Sequence, residues 1–195
     1  MIAPLREPFD RFLEAMGRAR AGEPFEGARA ALATVDAAGM PSVRYVLVKD
    51  CGESGFPFFT NYESPKAKDL DVTGRAALVW HWDSLGQQVR ASGTVMRASA
   101  AESDAYFAVR PRGSQIGAWA SRQSTAIDSR ESLEATVADL EKKFGDGPVP
   151  RPPFWGGYVL TPQTMEFWSE GKYRLHDRWL FTREGEGWRV TRLSP

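Results

Sequence analysis

Apolar residues recur along this chain in two rhythms. Phe9, Phe12, Leu13 and Met16 stand at i, i+3, i+4 and i+7, one face of a helix, before Gly22 and Pro24 interrupt the pattern. This predicts a short N-terminal helix over about residues 8–20. The period then shortens. Ala30 to Val35 and Ser42 to Val48 are apolar, β-branched runs separated by Asp36-Ala-Ala-Gly39, and Phe56 to Thr60 follows Glu53-Ser-Gly, so a meander of three strands is expected. Ser64-Pro65 puts an N-cap before a proline at the first helical position, starting a short helix that runs to about Val72. Arg75 to Trp82 and Gln87 to Arg97 read as two further strands. Ser99 with Glu102 makes a capping box for a helix ending at Pro111, and Asp128 with Glu131 opens another that ends near Gly145. Beyond the stiff Pro148 to Pro153 connector, Trp155 to Leu160, Arg174 to Arg183 and Trp188 to Leu193 predict strands, the last two joined by Glu184-Gly-Glu-Gly187. Many antiparallel strands, a few inserted helices and no βαβ alternation predict a mainly β fold, a small closed or split β-barrel with inserted α-helices.

Composition narrows the class. With 195 residues, 42% hydrophobic and 26% charged, the chain is expected to form one domain over residues 1–195 with a substantial core. Lys+Arg and Asp+Glu both number 25, so no overall field favours nucleic acid or an acidic membrane, and any anion site must be local. The single Cys51 excludes an internal disulfide, and His81 and His176 make no metal-ligand spacing with it, so no metal is expected. Arg6 and Glu7 precede any apolar run, and later runs such as Ala76 to Trp80 fall far short of about 20 residues; the expectation is a soluble, cytoplasmic protein.

No glycine-rich phosphate loop is present, so side chains must hold any bound phosphate. At the two-residue period of a strand, Arg174, His176 and Arg178 would project from one face. A solvated strand face is the ordinary explanation of such a row; the neighbouring Trp168, Tyr173 and Trp179 shift the balance towards a planar anionic ligand. Tyr106 and Arg110 are i, i+4 neighbours and Ser114 lies just past the Pro111 break, a set that suits a phosphate monoester or simply packs on a surface. Thr60, Ser64 and Lys66 gather at a strand-to-helix turn, which is either an anion site or a capped helix. His81, between Trp80 and Trp82, reads as structural, and Cys51 as non-catalytic.

Several stretches resemble the pyridoxine/pyridoxamine 5′-phosphate oxidase family: RYVLVK at Arg44 to Lys49, FFTNYESPK ending at Lys66, QQVRASG from Gln87, YFAVRPRGSQIGAWAS from Tyr106, RQS at Arg122 to Ser124, FWGGYVL from Phe154, and EFWSEGKYRLHDRW from Glu166. The resemblance runs from about Ala28 to Pro195. It implies the FMN-binding split barrel, a homodimer with FMN at the interface, and oxidation of pyridoxamine or pyridoxine 5′-phosphate to pyridoxal 5′-phosphate with O2 as acceptor. It assigns Arg44, Phe59, Thr60, Lys66, Gln88, Gln123, Ser124, Trp168 and Arg178 to FMN. Lys49, Tyr106, Arg110 and Ser114 fall to the substrate phosphate, and Arg174 and His176 to the substrate ring as catalytic-site residues. Arg44 and Lys49 differ by five, which on a straight strand would point them to opposite faces, so a bulge or a strand end at Lys49 is expected. One departure from the family pattern is Pro65, where arginine is common. Other readings of the same barrel are oxidation of a different ring, such as a phenazine precursor, and a non-catalytic flavin or pyridoxal-phosphate carrier.

Overall fold

Strand β7 (Trp155–Ser169) organises the sheet. In the computed structural model, which describes residues 2–195, β7 pairs along its length with β6 (Gln87–Arg97). Its other edge is shared: residues Trp155 to Leu160 pair with β4 (Phe56–Asn61), and Thr164 to Ser169 pair with β8 (Asp177–Glu184). The sheet therefore parts around residues 161–163, so of the closed or split barrel that the strands allow, the split form is the one adopted. Opposite this point β6 carries a bulge between Ser92 and Gly93, where a Cβ on Gly93 would lie 2.1 Å from the Thr161 carbonyl oxygen, so only glycine fits. The remaining strands, β1 (Ile2–Pro4), β2 (Arg29–Val35), β3 (Pro41–Leu47), β5 (Arg75–Trp82) and β9 (Gly187–Leu193), complete the order β1-β9-β8-β7-β6-β5-β2-β3, every pairing antiparallel.

Helix α1 (Glu7–Ala19) buries Phe9, Phe12 and Met16, as its period requires. Phe12 has no exposed surface, and its ring lies 4.7 Å from that of Trp80, 5.0 Å from Phe56 and 5.7 Å from Trp82, so α1 plugs the barrel with an aromatic cluster. Helix α2 (Pro65–Thr73) begins at Pro65, and both limbs of the Ser99/Glu102 capping box are formed at the start of α3 (Ala100–Ala108).

Four expectations are corrected. The three-strand meander does not form: β2 and β3 make a hairpin, but β4 leaves to pair with β7. Phe56 and Phe58 are both fully buried, and the edge of β7 gives them an inner face that an outer place beside β3 would not. A further helix, α4 (Arg112–Ala120), follows Pro111 at once. Its two glycines and Ser114 hide it from propensity, and it is fixed from outside by Arg112, which donates to the carbonyls of Gly145 and Gly147, and by the Trp119 indole N–H on the Pro150 carbonyl. Helix α5 (Arg130–Phe144) is capped by Ser129, which accepts from the Ser132 amide at 3.1 Å, and not by Asp128. Finally, β8 starts at Asp177, three residues later than its polar alternation indicates, because Tyr173 and Arg174 adopt φ of 58° and 65° in a tight turn.

Among the described residues no helix is long and apolar enough to cross a membrane. Phe12→Ala is expected to remove about 3–5 kcal/mol of stability through the cavity it leaves among the rings, seen as a lower urea midpoint with unchanged slope.

Candidate functional site

The turn from β4 into α2 builds the first part of the site. The Asn61 side-chain oxygen accepts from the Glu63 amide at 2.7 Å, an Asx turn that reverses the chain directly after the strand. The Ser64 hydroxyl donates to the Asn61 carbonyl at 2.7 Å and so does not cap the helix as its position suggests. It is turned instead towards Lys66. The Lys66 ammonium donates to Thr60 Oγ1 at 3.1 Å, Ser64 Oγ at 3.0 Å and Gln123 Oε1 at 2.7 Å, and the residue is only 8% exposed. All three partners are neutral oxygens, and Lys66 enters no ion pair among the described residues. Burial, reinforced by the positive charge of Arg44, pushes its pKa down to about 8.

Lys66, Thr60 and Gln123 line a cleft of about 820 Å³ that also takes in Lys49, Tyr106, Arg110 and Ser114. With Phe59, eight of the residues singled out in the sequence thus meet in one space. One wall is aromatic: the Phe59 and Tyr106 rings stack at 3.8 Å with 2° between planes, and Trp155 lies 5.7 Å from Phe59. The stack needs Gly157 on β7, where a Cβ would sit 2.8 Å from the Phe59 ring. The Arg110 guanidinium lies 4.7 Å from the Trp155 ring centroid, burial lowers its pKa, and its buried Nη1 has no hydrogen-bond partner among the described residues. Lys49 reaches the cleft because β3 ends at Leu47, which removes the parity conflict with Arg44. Arg44 itself does not line the cleft; it donates to the Leu32 carbonyl, Thr34 Oγ1 and Ser42. Ser124 follows Gln123 in a left-handed conformation, φ 69°, outside the cleft lining.

The other expected residues form a second group. Gln88, Trp168 and Arg178 occupy one cross-strand row over β6, β7 and β8. Arg178 donates to Glu166 Oε1 at 2.9 Å and to the Ser194 carbonyl at 3.0 Å, while Glu166, 5% exposed, also pairs with Arg90. Arg174 and His176 do not share a strand face with Arg178, contrary to the expected row, since both precede β8. The turn is enforced at Gly171, where a Cβ would lie 1.9 Å from the Leu175 carbonyl oxygen. His176 folds back so that its ring is 4.5 Å from that of Trp168 and its Nδ1 accepts from the Gly171 amide. His81 is exposed beside this row, opposite Gln88, and Cys51 is buried with its thiol pKa raised to about 12 by burial. None of this second group lines the cleft. Sequence reasoning missed Trp155, although its motif was visible, and the buried partners Thr34 and Glu166, whose only signal is a polar residue in an otherwise apolar stretch.

A buried ammonium among neutral oxygens, a half-buried guanidinium with a free donor, and a flat aromatic wall suit a ligand that is both planar and phosphorylated. The sequence profile of the family described as pyridoxamine 5′-phosphate oxidase matches residues 23–144, and that of the pyridoxine 5′-phosphate oxidase C-terminal dimerisation region matches residues 155–195. The chain is 52% identical over 189 residues to the pyridoxine/pyridoxamine 5′-phosphate oxidase of Anaeromyxobacter dehalogenans, covering 97% of this chain and 96% of that one. Among solved structures it is similar to PhzG from Burkholderia lata in complex with tetrahydrophenazine-1-carboxylic acid, with a TM-score of 0.90, 32% identity and coverage of 96% and 92%. An FMN-binding, pyridoxamine 5′-phosphate oxidase-related protein from Nostoc punctiforme shares the fold at a TM-score of 0.77 and 17% identity, covering 96% and 98%.

Because folding lowers the Lys66 pKa from 10.5 to about 8, the unfolded chain holds a proton there that the folded one has lost between these values. The contribution of Lys66 to stability in the ligand-free protein therefore rises as pH climbs from 8 to 10.5. Chemical denaturation of the ligand-free protein and of Lys66→Met across this window is expected to show the difference moving in favour of lysine.

Proposed function

Because the chain belongs to the pyridoxamine 5′-phosphate oxidase family, we propose that it is an FMN-dependent oxidase converting pyridoxamine and pyridoxine 5′-phosphates to pyridoxal 5′-phosphate. O2 is reduced to H2O2, and the amine substrate also releases ammonia. The observation that carries this reading is the pair of separate cationic sets in one cleft, Lys66 with Thr60 and Gln123, and Arg110 with Lys49, Tyr106 and Ser114. A cofactor phosphate and a substrate phosphate require two such sets.

Bound FMN supplies a hydride acceptor for the substrate carbon and a donor for O2. In this reading Arg44, Thr60, Lys66, Gln123 and Ser124 hold its phosphate and neighbouring polar groups, with Phe59 alongside. Lys49, Tyr106, Arg110 and Ser114 anchor the substrate phosphate, far from the reacting carbon, so that remote binding fixes orientation. The Arg110 Nη1 proton, unpartnered in its buried position, is available to a phosphate oxygen. Gln88, Trp168 and Arg178 serve FMN, and Arg174 and His176 the substrate ring, from a second copy of the chain. A homodimer accounts for their absence from the cleft of their own chain, and the family's dimerisation region, residues 155–195, carries four of these five residues. The exposed Val43 and Tyr45 on β3, with the small residues Ala31, Ala33 and Ala77 beside them, offer a face for that partner. The same reading treats residues 1–195 as one split-barrel domain, supported by a main core cluster that reaches from Ala3 to Trp188. It places the enzyme in the cytoplasm, where phosphorylated substrates are retained.

The likeness to PhzG favours, as a second reading, oxidation of a phenazine precursor. The retained phosphate set argues for the first. The deciding assay is H2O2 release by the FMN-loaded protein. Turnover of pyridoxamine 5′-phosphate but not of pyridoxamine supports the proposal; binding without H2O2 leaves a carrier, and turnover only of a reduced phenazine substrate leaves the second reading.

Arg110→Ala is expected to raise KM by roughly 10- to 150-fold, the value of a charge-assisted hydrogen bond, with a smaller effect on kcat. Arg174→Ala is expected to lower kcat as well, since ring alignment acts at the reacting centre. Steady-state kinetics with pyridoxamine 5′-phosphate measures both, and an unchanged kcat/KM in Arg110→Ala would remove the phosphate assignment.

A further inference from the structure

Arg44 stands behind the cleft, and its hold on that place is built from a residue with no assigned part in the reaction. Along β2 the inward positions are Ala30, Leu32 and Thr34, all fully buried, and the third breaks the apolar series. A buried hydroxyl must find partners, and Thr34 finds one on each side. It accepts from Arg44 Nη1 at 2.7 Å and donates to Asp69 Oδ2 at 2.6 Å. Because a hydroxyl has one proton, donating to the carboxylate leaves only its lone pairs for the guanidinium, so the order Arg44–Thr34–Asp69 is directional. The Leu32 and Ser42 carbonyls, each 3.2 Å from Arg44 Nη1, and Ser42 Oγ, 2.6 Å from Nη2, fix the rest of the guanidinium.

The position of Asp69 gives this chain of bonds a consequence. Asp69 lies three residues after Lys66 on α2, a spacing at which a carboxylate and an ammonium ordinarily pair. It bonds to Thr34 instead, and neither Lys66 nor Arg44 has an ion-pair partner among the described residues. Two cations close enough for Arg44 to depress the Lys66 pKa are thus kept together with neither in an ion pair, while the Asp69 charge reaches Arg44 only across the Thr34 hydroxyl, where it favours the guanidinium.

We propose that Thr34 is a positioning residue for the cofactor phosphate, its hydroxyl holding Asp69 away from Lys66 and fixing Arg44 so that both cations remain free for the phosphate. This rests on the reading that Arg44 and Lys66 serve the FMN phosphate.

Apoprotein is titrated with FMN and with riboflavin, which lacks the phosphate, by flavin fluorescence. Thr34→Val matches the shape and deletes the hydroxyl; FMN affinity is expected to fall roughly tenfold while riboflavin affinity is unchanged. Thr34→Ser is expected to restore FMN affinity. Arg44→Met lowers the FMN-to-riboflavin ratio, and adding Thr34→Val to it causes no further loss, because the hydroxyl acts through the guanidinium. If Thr34→Val does not fold, Thr34→Cys, with only a weak donor, is expected to show the same selective loss. Equal weakening of both flavins by the Thr34 variants, or an unchanged ratio while Arg44→Met lowers it, overturns the role of Thr34 and leaves the FMN site standing. An unchanged ratio in Arg44→Met overturns the assignment of Arg44 and the proposal with it.

Discussion

A lysine ammonium set among neutral oxygens, with no negative charge beside it, is the feature on which the site's construction turns. Removing an ammonium from water costs several kcal/mol unless it is paired, so Lys66 requires every oxygen it has. Thr60 must come from the last turn of pleat in β4, Ser64 from the reversal after it, and Gln123 from the segment beyond α4. Those demands propagate outward. For β4 to end at Asn61 it must pair with the start of β7, and that register sets Asn61 opposite Trp155 and Phe59 opposite Gly157. The aromatic wall of the cleft is therefore a consequence of the strand pairing that delivers Thr60. An anion entering the cleft supplies the charge that Lys66 lacks and restores its ordinary affinity for a proton.

Arg110 meets the same problem differently. Its guanidinium lies over Trp155 and Phe107, which stabilise its charge but satisfy none of its N–H donors. These rings belong to a small cluster of Phe107, Ile116, Val149 and Trp155, separate from the barrel core. The site thus spans a join: the barrel positions Lys66, and the helical lobe of α3, α4 and α5 positions Arg110 and Ser114. Since α5 has no fully buried residue, the lobe leans on the α4 contact and the Arg112 clamp, and it is the part of the site with the least packing behind it.

What the sequence made legible follows local physics. The stripe of α1, the capping box of α3 and the ends of β5 and β6 depend on neighbours within a few residues, and the structure agrees with them. What it hid is long-range. Nothing within Phe56 to Asn61 specifies β7 as its partner, and α4 exists through contacts to residues about thirty positions away. The site divides in the same way. Tyr106, Arg110 and Ser114, grouped by spacing alone, do share the cleft, whereas Arg174 and His176 were set on a strand face by an alternation that ends where two left-handed residues begin. Thr34 was invisible as a functional candidate because a threonine in a strand is unremarked until its neighbours across the sheet are known.

The two halves of the second group differ in mechanical character. Gln88, Trp168 and Arg178 sit on three paired strands, and Arg178 is locked by a buried carboxylate that also engages Arg90, so the row is set before any ligand arrives. Arg174 lies in a turn with φ of 65°, beside Tyr173 at 58° and 92% exposed. Left-handed conformations at non-glycine residues cost of order 1–3 kcal/mol each and persist where surrounding contacts over-determine them. Little of this chain surrounds Tyr173. Within the chain the turn is held by Gly171, where a Cβ would strike the Leu175 carbonyl, and by the bond of its amide to His176 Nδ1, so the backbone at Arg174 is fixed while the Tyr173 ring beside it stays open to solvent.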